Sequence, residues 1–236
     1  MKRTLAGIFI LGLIAGCHQP ATHPCPTSAP SIAIRPAVAE EISVEQLALL
    51  LPRHPIVVGF DVDDTLLAST PAFSALQSQY DPQVIRPKDF NALTPAQKAQ
   101  FHDFWNRLNE DFDDRSIPKK IGKQLLDLHL ARGDEIWIIS RRPESDPPTK
   151  TTTLRIERMF GVKLSHPVVS TNLSDKTNYI CCRHIEYYYG DSDTDITAAV
   201  AAGAVPIRVH RAAGSYAADP HHDGQLGEIV LKGSDQ

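Results

Sequence analysis

The chain has 236 residues, of which 42% are hydrophobic and 22% are charged. These values are ordinary for one or two globular domains, and they exclude a disordered, collagen-like or many-span membrane protein. The formal net charge is −4, with 24 Lys and Arg residues against 28 Asp and Glu residues. Because no basic excess is available to neutralise a nucleic-acid backbone, we expect no nucleic-acid polymer as a partner.

The amino terminus has the pattern of an export signal. Lys2 and Arg3 precede an apolar stretch that is too short for a comfortable membrane span. This stretch ends in the sequence Ile-Ala-Gly-Cys at positions 14–17, which resembles the lipobox of bacterial lipoproteins. The resemblance implies that residues 1–16 are a lipoprotein signal peptide and that Cys17 carries lipid on the periplasmic side of a bacterial membrane. An ordinary signal peptide, which would release a soluble periplasmic protein, is the alternative.

Residues 17–40 contain five prolines among small residues. A segment so poor in hydrogen-bond donors and large apolar groups is typical of an extended linker. We therefore predict a tether over residues 17–40 and a folded domain over residues 41–236. Cleavage leaves four cysteines in an oxidising compartment, and their spacing does not determine how they pair.

The folded domain alternates predicted strands and helices. Ser43 and Gln46 have the spacing of a capping box, and they predict a short helix that Pro52 ends. Apolar runs without polar alternation predict buried parallel strands at 56–60, 136–139, 185–189 and 205–209, with a weaker strand at 167–169. Apolar spacing followed by a glycine predicts helices at 121–131, 154–160 and 196–202. This order is typical of an α/β fold with a doubly wound parallel sheet.

Residues 66–117 interrupt the alternation, because a long stretch separates the first strand from its crossover helix. Thr94, Pro95 and Gln97 supply an N-cap, a first-turn proline and a capping-box glutamine. Aromatic residues follow them at helical spacing. We predict a small helical cap inserted after the first strand, over residues 66–117.

Two clusters of acidic residues directly follow predicted strands. They are Asp61, Asp63 and Asp64 after the first strand, and Asp191, Asp193 and Asp195 after the fourth. The carboxyl ends of strands are the ligand-binding edge of an open α/β sheet. Gathering carboxylates there is costly unless a cation joins them, and their oxygen atoms favour magnesium. A turn rich in Asx hydrogen bonds and a helix N-cap are the alternatives for the two clusters, although an N-cap needs only one of the acids.

These motifs resemble those of the haloacid dehalogenase (HAD) superfamily, and they occur in the same order. Residues 60–65, Phe-Asp-Val-Asp-Asp-Thr, match the first motif. Ser140 matches the second motif, Lys176 the third and residues 190–195 the fourth. Within the superfamily, the first and fourth motifs and the Ser-Ile-Pro-Lys step at 116–119 are similar to those of the bacterial class B acid phosphatases. The similarity extends from Glu41 to Val230.

The resemblance implies a magnesium-dependent acid phosphatase that hydrolyses phosphomonoesters, including nucleotides and aryl phosphates, through a phosphoaspartate. It implies that Asp61 is the nucleophile and that Asp63 is the general acid and base. Asp61, the backbone carbonyl of Asp63 and Asp191 would hold Mg²⁺. The family also implies a homotetramer.

The remaining site assignments follow from the same resemblance. Ser140, Arg142 and Lys176 match residues that hold the phosphoryl oxygens, and Asp195 matches a residue that orients Lys176 or the water on the metal. The aromatic residues that match the leaving-group pocket are Phe73, Trp105 and Tyr216. For Trp105, a place in the core of the cap is an equally good interpretation.

One residue departs from the family pattern. Arg141 stands where class B enzymes usually have a glycine close to the phosphate. The loop is therefore shifted, or an extra cation faces the substrate, or Arg141 is an ordinary solvated side chain.

The sequence leaves two alternative functions open. One is a phosphotransferase that passes phosphate to alcohols or nucleosides, and the other is a non-catalytic surface lipoprotein that binds nucleotide or metal.

Overall fold

The computed structural model describes residues 41–145, 148–217 and 220–236. The predicted signal peptide, the predicted tether and Cys17 lie outside these residues. In the part of the chain that is described, no helix combines the length and the apolar character needed to cross a membrane.

A parallel sheet of seven strands forms the centre of the domain. In chain order its strands are β1 (Glu41–Ile42), β2 (Val57–Phe60), β5 (Glu135–Ser140), β6 (Val169–Ser170), β7 (Tyr187–Gly190), β8 (Val205–Val209) and β9 (Ile229–Leu231). Their spatial order is β1-β9-β8-β7-β2-β5-β6, and each neighbouring pair is parallel. Two further strands, β3 (Leu67–Ala68) and β4 (Ile117–Pro118), form a separate antiparallel pair.

Helices connect these strands. The α-helices are α1 (Val44–Leu50), α2 (Thr70–Gln77), α3 (Pro82–Ile85), α4 (Pro95–Arg107), α5 (Lys120–Arg132), α6 (Thr151–Phe160), α7 (Thr177–Cys181) and α8 (Asp193–Ala201). A π-helical turn (Leu108–Phe112) and 3₁₀ turns at Phe90–Ala92 and Asp113–Arg115 complete the segment between α3 and β4.

Successive strand residues face two different apolar layers, as the pleat of a strand requires. Val58 and Phe60 of β2 pack in one layer with residues of α1, α5 and α6. Gly59, between them, faces the other layer, where α7 and α8 pack against the sheet. A side-chain carbon on Gly59 would lie 2.6 Å from the ring of Tyr188, so only glycine fits there. Helices therefore cover both faces of the sheet, and the predicted doubly wound α/β fold is confirmed.

Each of the five predicted strands is present, with small shifts in its ends. The largest shifts are in β6 and β7, which both begin two residues later than predicted. In front of β7, Ile185 still donates to the Ile180 carbonyl of α7. Two strands, β1 and β9, were not predicted, and they pair with each other at one side of the sheet. β1 has two residues and β9 has three, so both are shorter than the apolar runs of four or five residues that predicted β2, β5, β7 and β8.

The segment between β3 and β4 forms a small helical cap. Leu67 pairs with Pro118 and Ala68 with Ile117, so the two ends of the insertion meet in the β3–β4 pair. Helix α4 begins with the predicted capping box of Thr94 and Gln97. The cap has its own apolar core, which includes Phe73, Leu76, Phe101, Phe104, Trp105 and Leu108.

The order of the strands reverses at β2. The chain passes from β2 to β5 and β6 on one side, and then returns to β7 on the other. Such a reversal opens a crevice at the carboxyl ends of the two central strands, which is where open α/β sheets bind ligands. The cap is inserted at the same edge, since it follows β2.

Arg208, a fully buried residue of β8, stabilises this edge of the sheet. The Arg208 guanidinium donates to the Glu228 carboxylate at 2.9 and 3.0 Å, to the Asp191 carbonyl at 2.7 Å and to the Asp193 carboxylate at 2.9 Å. Glu228 is also fully buried. Because a buried charge is costly without its partners, this network ties the segment before β9 to the loop after β7.

We expect Glu228→Gln to lower the free energy of unfolding by about 3 kcal/mol, because it leaves the buried Arg208 short of one anionic partner. Urea denaturation of the two proteins measures the difference. Asp127→Asn is the matched control, since it breaks an exposed ion pair with Lys123 on α5 and should change stability by less than about 0.5 kcal/mol. Equal effects of the two substitutions would contradict the structural role of Glu228.

Candidate active site

The two acidic clusters lie side by side at the carboxyl ends of β2 and β7. Asp61 directly follows β2, and its amide donates to the Tyr189 carbonyl of β7 at 2.9 Å. Asp191 directly follows β7. One carboxylate oxygen from each of Asp61, Asp191 and Asp195 lies within 4.8 Å of the other two, and all three side chains are buried. Three buried carboxylates so close together require positive charge nearby.

Lys176 supplies part of that charge. Its ammonium lies 2.5 Å from Asp61 Oδ1 and 2.7 Å from Asp195 Oδ1, and the residue is 2% exposed. Burial by itself disfavours the charged lysine, but Asp195 and Asp61 outweigh it and raise the pKa of Lys176 well above its usual value. Lys176 therefore stays protonated and holds the Asp61 carboxylate in one orientation.

The Asp195 carboxylate accepts hydrogen bonds from two residues, Ser192 and Lys176. Its Oδ2 accepts hydrogen bonds from the Ser192 hydroxyl at 2.6 Å and from the Ser192 amide at 3.3 Å, which completes the capping box of α8. Its Oδ1 holds Lys176. The N-cap interpretation of the second cluster is thus correct for Ser192 and Asp195, but it does not use Asp191.

A glycine makes this arrangement possible. A side-chain carbon on Gly190, the last residue of β7, would lie 2.3 Å from Asp195 Cβ. That distance is far inside van der Waals contact, so any larger residue would push Asp195 away from Lys176. The Gly-Asp sequence at 190–191 brings the backbone of β7 close to the start of α8 for this reason.

Asp191 is paired with Arg211, whose Nε lies 2.5 Å from Asp191 Oδ2. Burial, with a smaller contribution from Asp195, nevertheless raises the pKa of Asp191 to about 7. The pKa of Asp61 is also raised, mainly by burial, although Lys176 acts in the opposite direction. For Asp61 and Asp191, the cost of burying a negative charge therefore exceeds what Lys176 and Arg211 offset, whereas Lys176 and Ser192 lower the pKa of Asp195.

This donor set fits a hard divalent cation. Its ligands are carboxylate oxygens, which Mg²⁺ prefers, and they are buried, close together and short of positive charge. Asp61 and Asp191 are the best placed carboxylates, because both oxygens of Asp195 accept hydrogen bonds from other protein groups. The Asp63 carboxylate does not belong to this cluster.

Asp63 instead faces Arg142, which follows β5 by two residues. The guanidinium donates from Nε to Asp63 Oδ2 at 2.8 Å and from Nη2 to Asp63 Oδ1 at 2.6 Å. Arg142 is 5% exposed, and its amide donates to the buried Ser140 hydroxyl at 3.1 Å. Arg142 Nη1 is buried and has no hydrogen-bond partner among the described residues, so this donor is available to a bound anion.

The turn that carries the first cluster is strained and is held by the base of the cap. Asp64 has a φ of 58°, in the left-handed region that few residues other than glycine adopt. Its carbonyl accepts from the buried ammonium of Lys119 at 2.6 Å, and its carboxylate accepts from Ser215 at 2.6 Å. Burial lowers the pKa of Lys119 to about 8. Lys119 follows β4 directly, so the β3–β4 pair and this turn form one unit.

The three predicted pocket aromatics have different environments. The rings of Phe73 and Tyr216 stack with centroids 3.9 Å apart, and the Arg86 guanidinium lies 4.6 Å from the Tyr216 ring centroid. Tyr216 is partly exposed, whereas Phe73 is 1% exposed. Trp105 is 6% exposed and donates to the Ile85 carbonyl at 3.2 Å. For Trp105 the structure favours the alternative, a place in the core of the cap.

Arg141 is partly buried and lies beside Lys176. Its Nη2 is 3.4 Å from the Leu173 carbonyl, and its Nε has no partner among the described residues. It lines a cavity of about 110 Å³ together with Asp175, Lys176, Thr194 and Asp195. The interpretation of Arg141 as an ordinary solvated side chain is therefore not supported.

Sequence reasoning missed several charged residues of the site. They are Asp113, Lys119, Arg208 and Arg211. Arg211 follows β8 by two residues, so the rule that points to the ends of strands could have found it. Asp113 lies at the end of the cap, and no pattern in its surroundings indicates that it approaches β5.

Comparisons with known proteins agree with this geometry. Residues 35–216 match the family described as HAD superfamily, subfamily IIIB (Acid phosphatase). The chain is 37% identical to the class B acid phosphatase of Klebsiella pneumoniae (strain 342) over 199 residues, which cover 82% of this chain and 79% of the relative. It is 39% identical to the class B acid phosphatase of Marinomonas sp. (strain MWYL1) over 204 residues, which cover 84% and 81% of the two chains.

A solved structure supports the fold. The crystal structure of a predicted phosphatase from Clostridium acetobutylicum superposes with a TM-score of 0.51 at 14% identity, over 75% of this chain and 94% of that one. Together with the matched family and the named relatives, the site at the ends of β2, β5 and β7 identifies the chain as a phosphomonoester hydrolase. The chain belongs to the subfamily IIIB acid phosphatases of the HAD superfamily, the class B acid phosphatases.

Proposed function

We propose that the protein is a magnesium-dependent acid phosphatase of broad specificity that works through a phosphoaspartate at Asp61. The observation that carries the proposal is the buried Asp61 carboxylate, which Lys176 holds at 2.5 Å beside two further carboxylates. Lys176 leaves the second oxygen of Asp61 free to attack, and the acid of Asp63 follows two residues later.

The reaction has two steps. In the first, an Asp61 oxygen bonds to phosphorus, the bond from phosphorus to the ester oxygen breaks, and Asp63 gives its proton to the departing alcohol. In the second, Asp63 takes a proton from water, and the oxygen of that water bonds to phosphorus. The acyl phosphate bond then breaks, which frees inorganic phosphate and restores the Asp61 carboxylate.

Several donors would hold the phosphoryl oxygens during both steps. Lys176 lies against Asp61, the Ser140 hydroxyl lies at the end of the neighbouring strand, and Arg142 Nη1 is a buried donor without a described partner. Mg²⁺, held by Asp61, the Asp63 carbonyl and Asp191, would neutralise charge between nucleophile and phosphoryl group. Asp195 keeps Lys176 in place.

The leaving group would meet the stacked pair of Phe73 and Tyr216. Tyr216 is partly exposed and its ring stacks on Phe73, whose own ring centroid lies 5.8 Å from the Arg142 guanidinium, so the pair offers a flat aromatic surface near the candidate site. Aryl groups and nucleobases stack on such surfaces without a specific hydrogen-bond pattern. This surface supports a broad range of nucleotides and aryl phosphates as substrates.

Phosphate transfer to an alcohol in place of water would use the same residues. Product analysis with added nucleoside separates this transferase activity from hydrolysis.

We expect Asp61→Asn to reduce phosphate release to the uncatalysed background while the protein keeps its fold, because an amide cannot form the acyl phosphate. Release of 4-nitrophenol from 4-nitrophenyl phosphate measures the activity, and mass spectrometry of acid-quenched wild-type protein locates the phosphoryl group. Asp111→Asn, at an exposed cap position, is the matched control and should be fully active. Turnover by Asp61→Asn would contradict the covalent mechanism.

Chelation should abolish activity, and added Mg²⁺ should restore it. Asp191→Asn removes one of the proposed ligands, so we expect calorimetry to show at least tenfold weaker Mg²⁺ binding in this variant than in the wild type. Asp175→Asn, which removes an exposed carboxylate next to Lys176, is the control and should bind Mg²⁺ normally. Undiminished activity in excess chelator would refute the metal requirement.

We also propose that the mature protein is a periplasmic lipoprotein anchored at Cys17 and that it assembles as a homotetramer. The lipobox-like sequence at 14–17 supports the anchor, and two or more acyl chains on Cys17 would suffice for stable membrane association. The predicted tether over residues 17–40 would then separate the phosphatase domain from the membrane. The family resemblance alone supports the tetramer, which sedimentation of the protein without residues 1–40 would test.

Cys17→Ser should move the protein from the membrane fraction to the soluble fraction, or stop its processing, without changing activity per folded molecule. Cell fractionation followed by mass spectrometry of the processed amino terminus measures both effects. Cys25→Ser is the matched control and should leave the membrane association unchanged. A processed, wholly soluble wild-type protein with an unmodified Cys17 would show that the segment is an ordinary signal peptide.

A further inference from the structure

We infer that Asp113, at the end of the cap, is a positioning residue for the reaction. It holds the Arg142 guanidinium in place, and Arg142 in turn orients the Asp63 carboxyl toward the leaving group. The inference rests on the proposed role of Asp63 as general acid and names the group that sets its position.

Asp113 and Asp63 bind the same guanidinium. Asp113 Oδ1 accepts from Arg142 Nη2 at 3.0 Å, while the same nitrogen donates to Asp63 Oδ1 at 2.6 Å. The Ser69 hydroxyl lies 3.3 Å from this nitrogen as a weaker third acceptor. Without Asp113, the pair with Asp63 would be the only ion pair of Arg142 with a described carboxylate. The guanidinium could then follow Asp63 in any movement.

Asp113 is itself held rigidly. Its side chain is fully buried, and its Oδ1 also accepts from the Ser116 hydroxyl at 2.7 Å. Arg155 Nη1 of α6 lies 3.5 Å from its Oδ2 and donates to the Asn109 carbonyl of the π-helical turn at 2.5 Å. Although burial alone would raise the pKa of Asp113, Arg142, Ser116 and Arg155 lower it, so Asp113 remains a carboxylate. It is thus a fixed anion at the end of the cap.

The location of Asp113 matches this role. It lies four residues before β4, the strand that closes the base of the cap, and its partner Arg142 lies two residues after β5. Asp113 therefore connects the cap to Arg142 in the loop that follows Ser140, the last residue of β5. No other carboxylate of the cap, among the described residues, forms an ion pair with Arg142.

The next residue provides a matched control. Asp114 is also acidic and also binds Arg155, but its side chain is 52% exposed and it pairs with Arg155 and Arg158 instead of Arg142. Asp113→Asn and Asp114→Asn each remove one negative charge from the same turn. Only the first substitution disturbs the guanidinium that orients Asp63.

The test compares kcat/KM for two aryl phosphates. The 4-nitrophenolate anion leaves 4-nitrophenyl phosphate readily without being protonated. The leaving oxygen of phenyl phosphate needs a proton from the general acid. Loss of a positioned general acid lowers the rate by about a hundredfold to ten-thousandfold. We therefore expect Asp113→Asn to lower kcat/KM about tenfold more for phenyl phosphate than for 4-nitrophenyl phosphate. Asp114→Asn should lower both values equally or not at all.

Two further variants separate this inference from the proposed function. Asp63→Asn should show a larger loss in the same direction, and if it shows no dependence on the leaving group, the general-acid role itself is wrong. In the Asp63→Asn background, adding Asp113→Asn should not change the ratio of the two kcat/KM values, because Asp113 acts through Asp63. A further change in that ratio, or equal losses for both substrates in Asp113→Asn alone, would overturn the positioning role.

The stability of each variant is measured by thermal unfolding, in addition to its kcat/KM values. If Asp113→Asn does not fold, Ser116→Ala replaces it, because that substitution removes one hydrogen bond from Asp113 and leaves every charge in place. We expect a smaller leaving-group effect of the same sign, about twofold to threefold. A ratio equal to that of the wild type in a folded Ser116→Ala protein would then count against the inference.

Discussion

The mutual repulsion of three buried carboxylates at the ends of β2 and β7 is the constraint on which the site depends. Carboxylate oxygens of Asp61, Asp191 and Asp195 lie within 4.8 Å of one another, and the cations that pair with them among the described residues are Lys176 and Arg211. The architecture meets this constraint locally, with Gly190 allowing Asp195 to approach β7. The incomplete compensation is what makes the cluster a good site for a divalent cation.

A second layer of charge surrounds the first and is built from parts of the chain that are distant in sequence. Arg208 on β8 binds the Asp191 carbonyl, Lys119 at the base of the cap binds the Asp64 carbonyl, and Arg142 after β5 binds Asp63 and Asp113. Each cation satisfies backbone or carboxylate oxygens that burial would otherwise leave unpaired. The outer layer therefore fixes the backbone turns, while the inner layer holds the carboxylates of the candidate active site.

The core of the fold was predictable from the sequence because its signals are local. Apolar runs predicted β2, β5, β7 and β8, and Gly133 and Gly161 end α5 and α6 in the left-handed conformation that glycine favours. The strands β1 and β9, the last two at one side of the sheet, were not predictable. They are short, and only their pairing with each other and with β8 makes them strands.

The sequence by itself determined which residues lie at the carboxyl ends of the strands, since an apolar run followed by an acid is a local pattern. It thereby identified Asp61, Asp63 and Asp191, and the family motifs added Ser140, Arg142, Lys176 and Asp195. Only the tertiary structure decided which charges meet. Lys176 reaches Asp61 across 115 residues, and Arg142 reaches Asp113 across 29. Such pairs depend on how β2, β5, β7 and the cap pack together, and no periodicity along the chain records that packing.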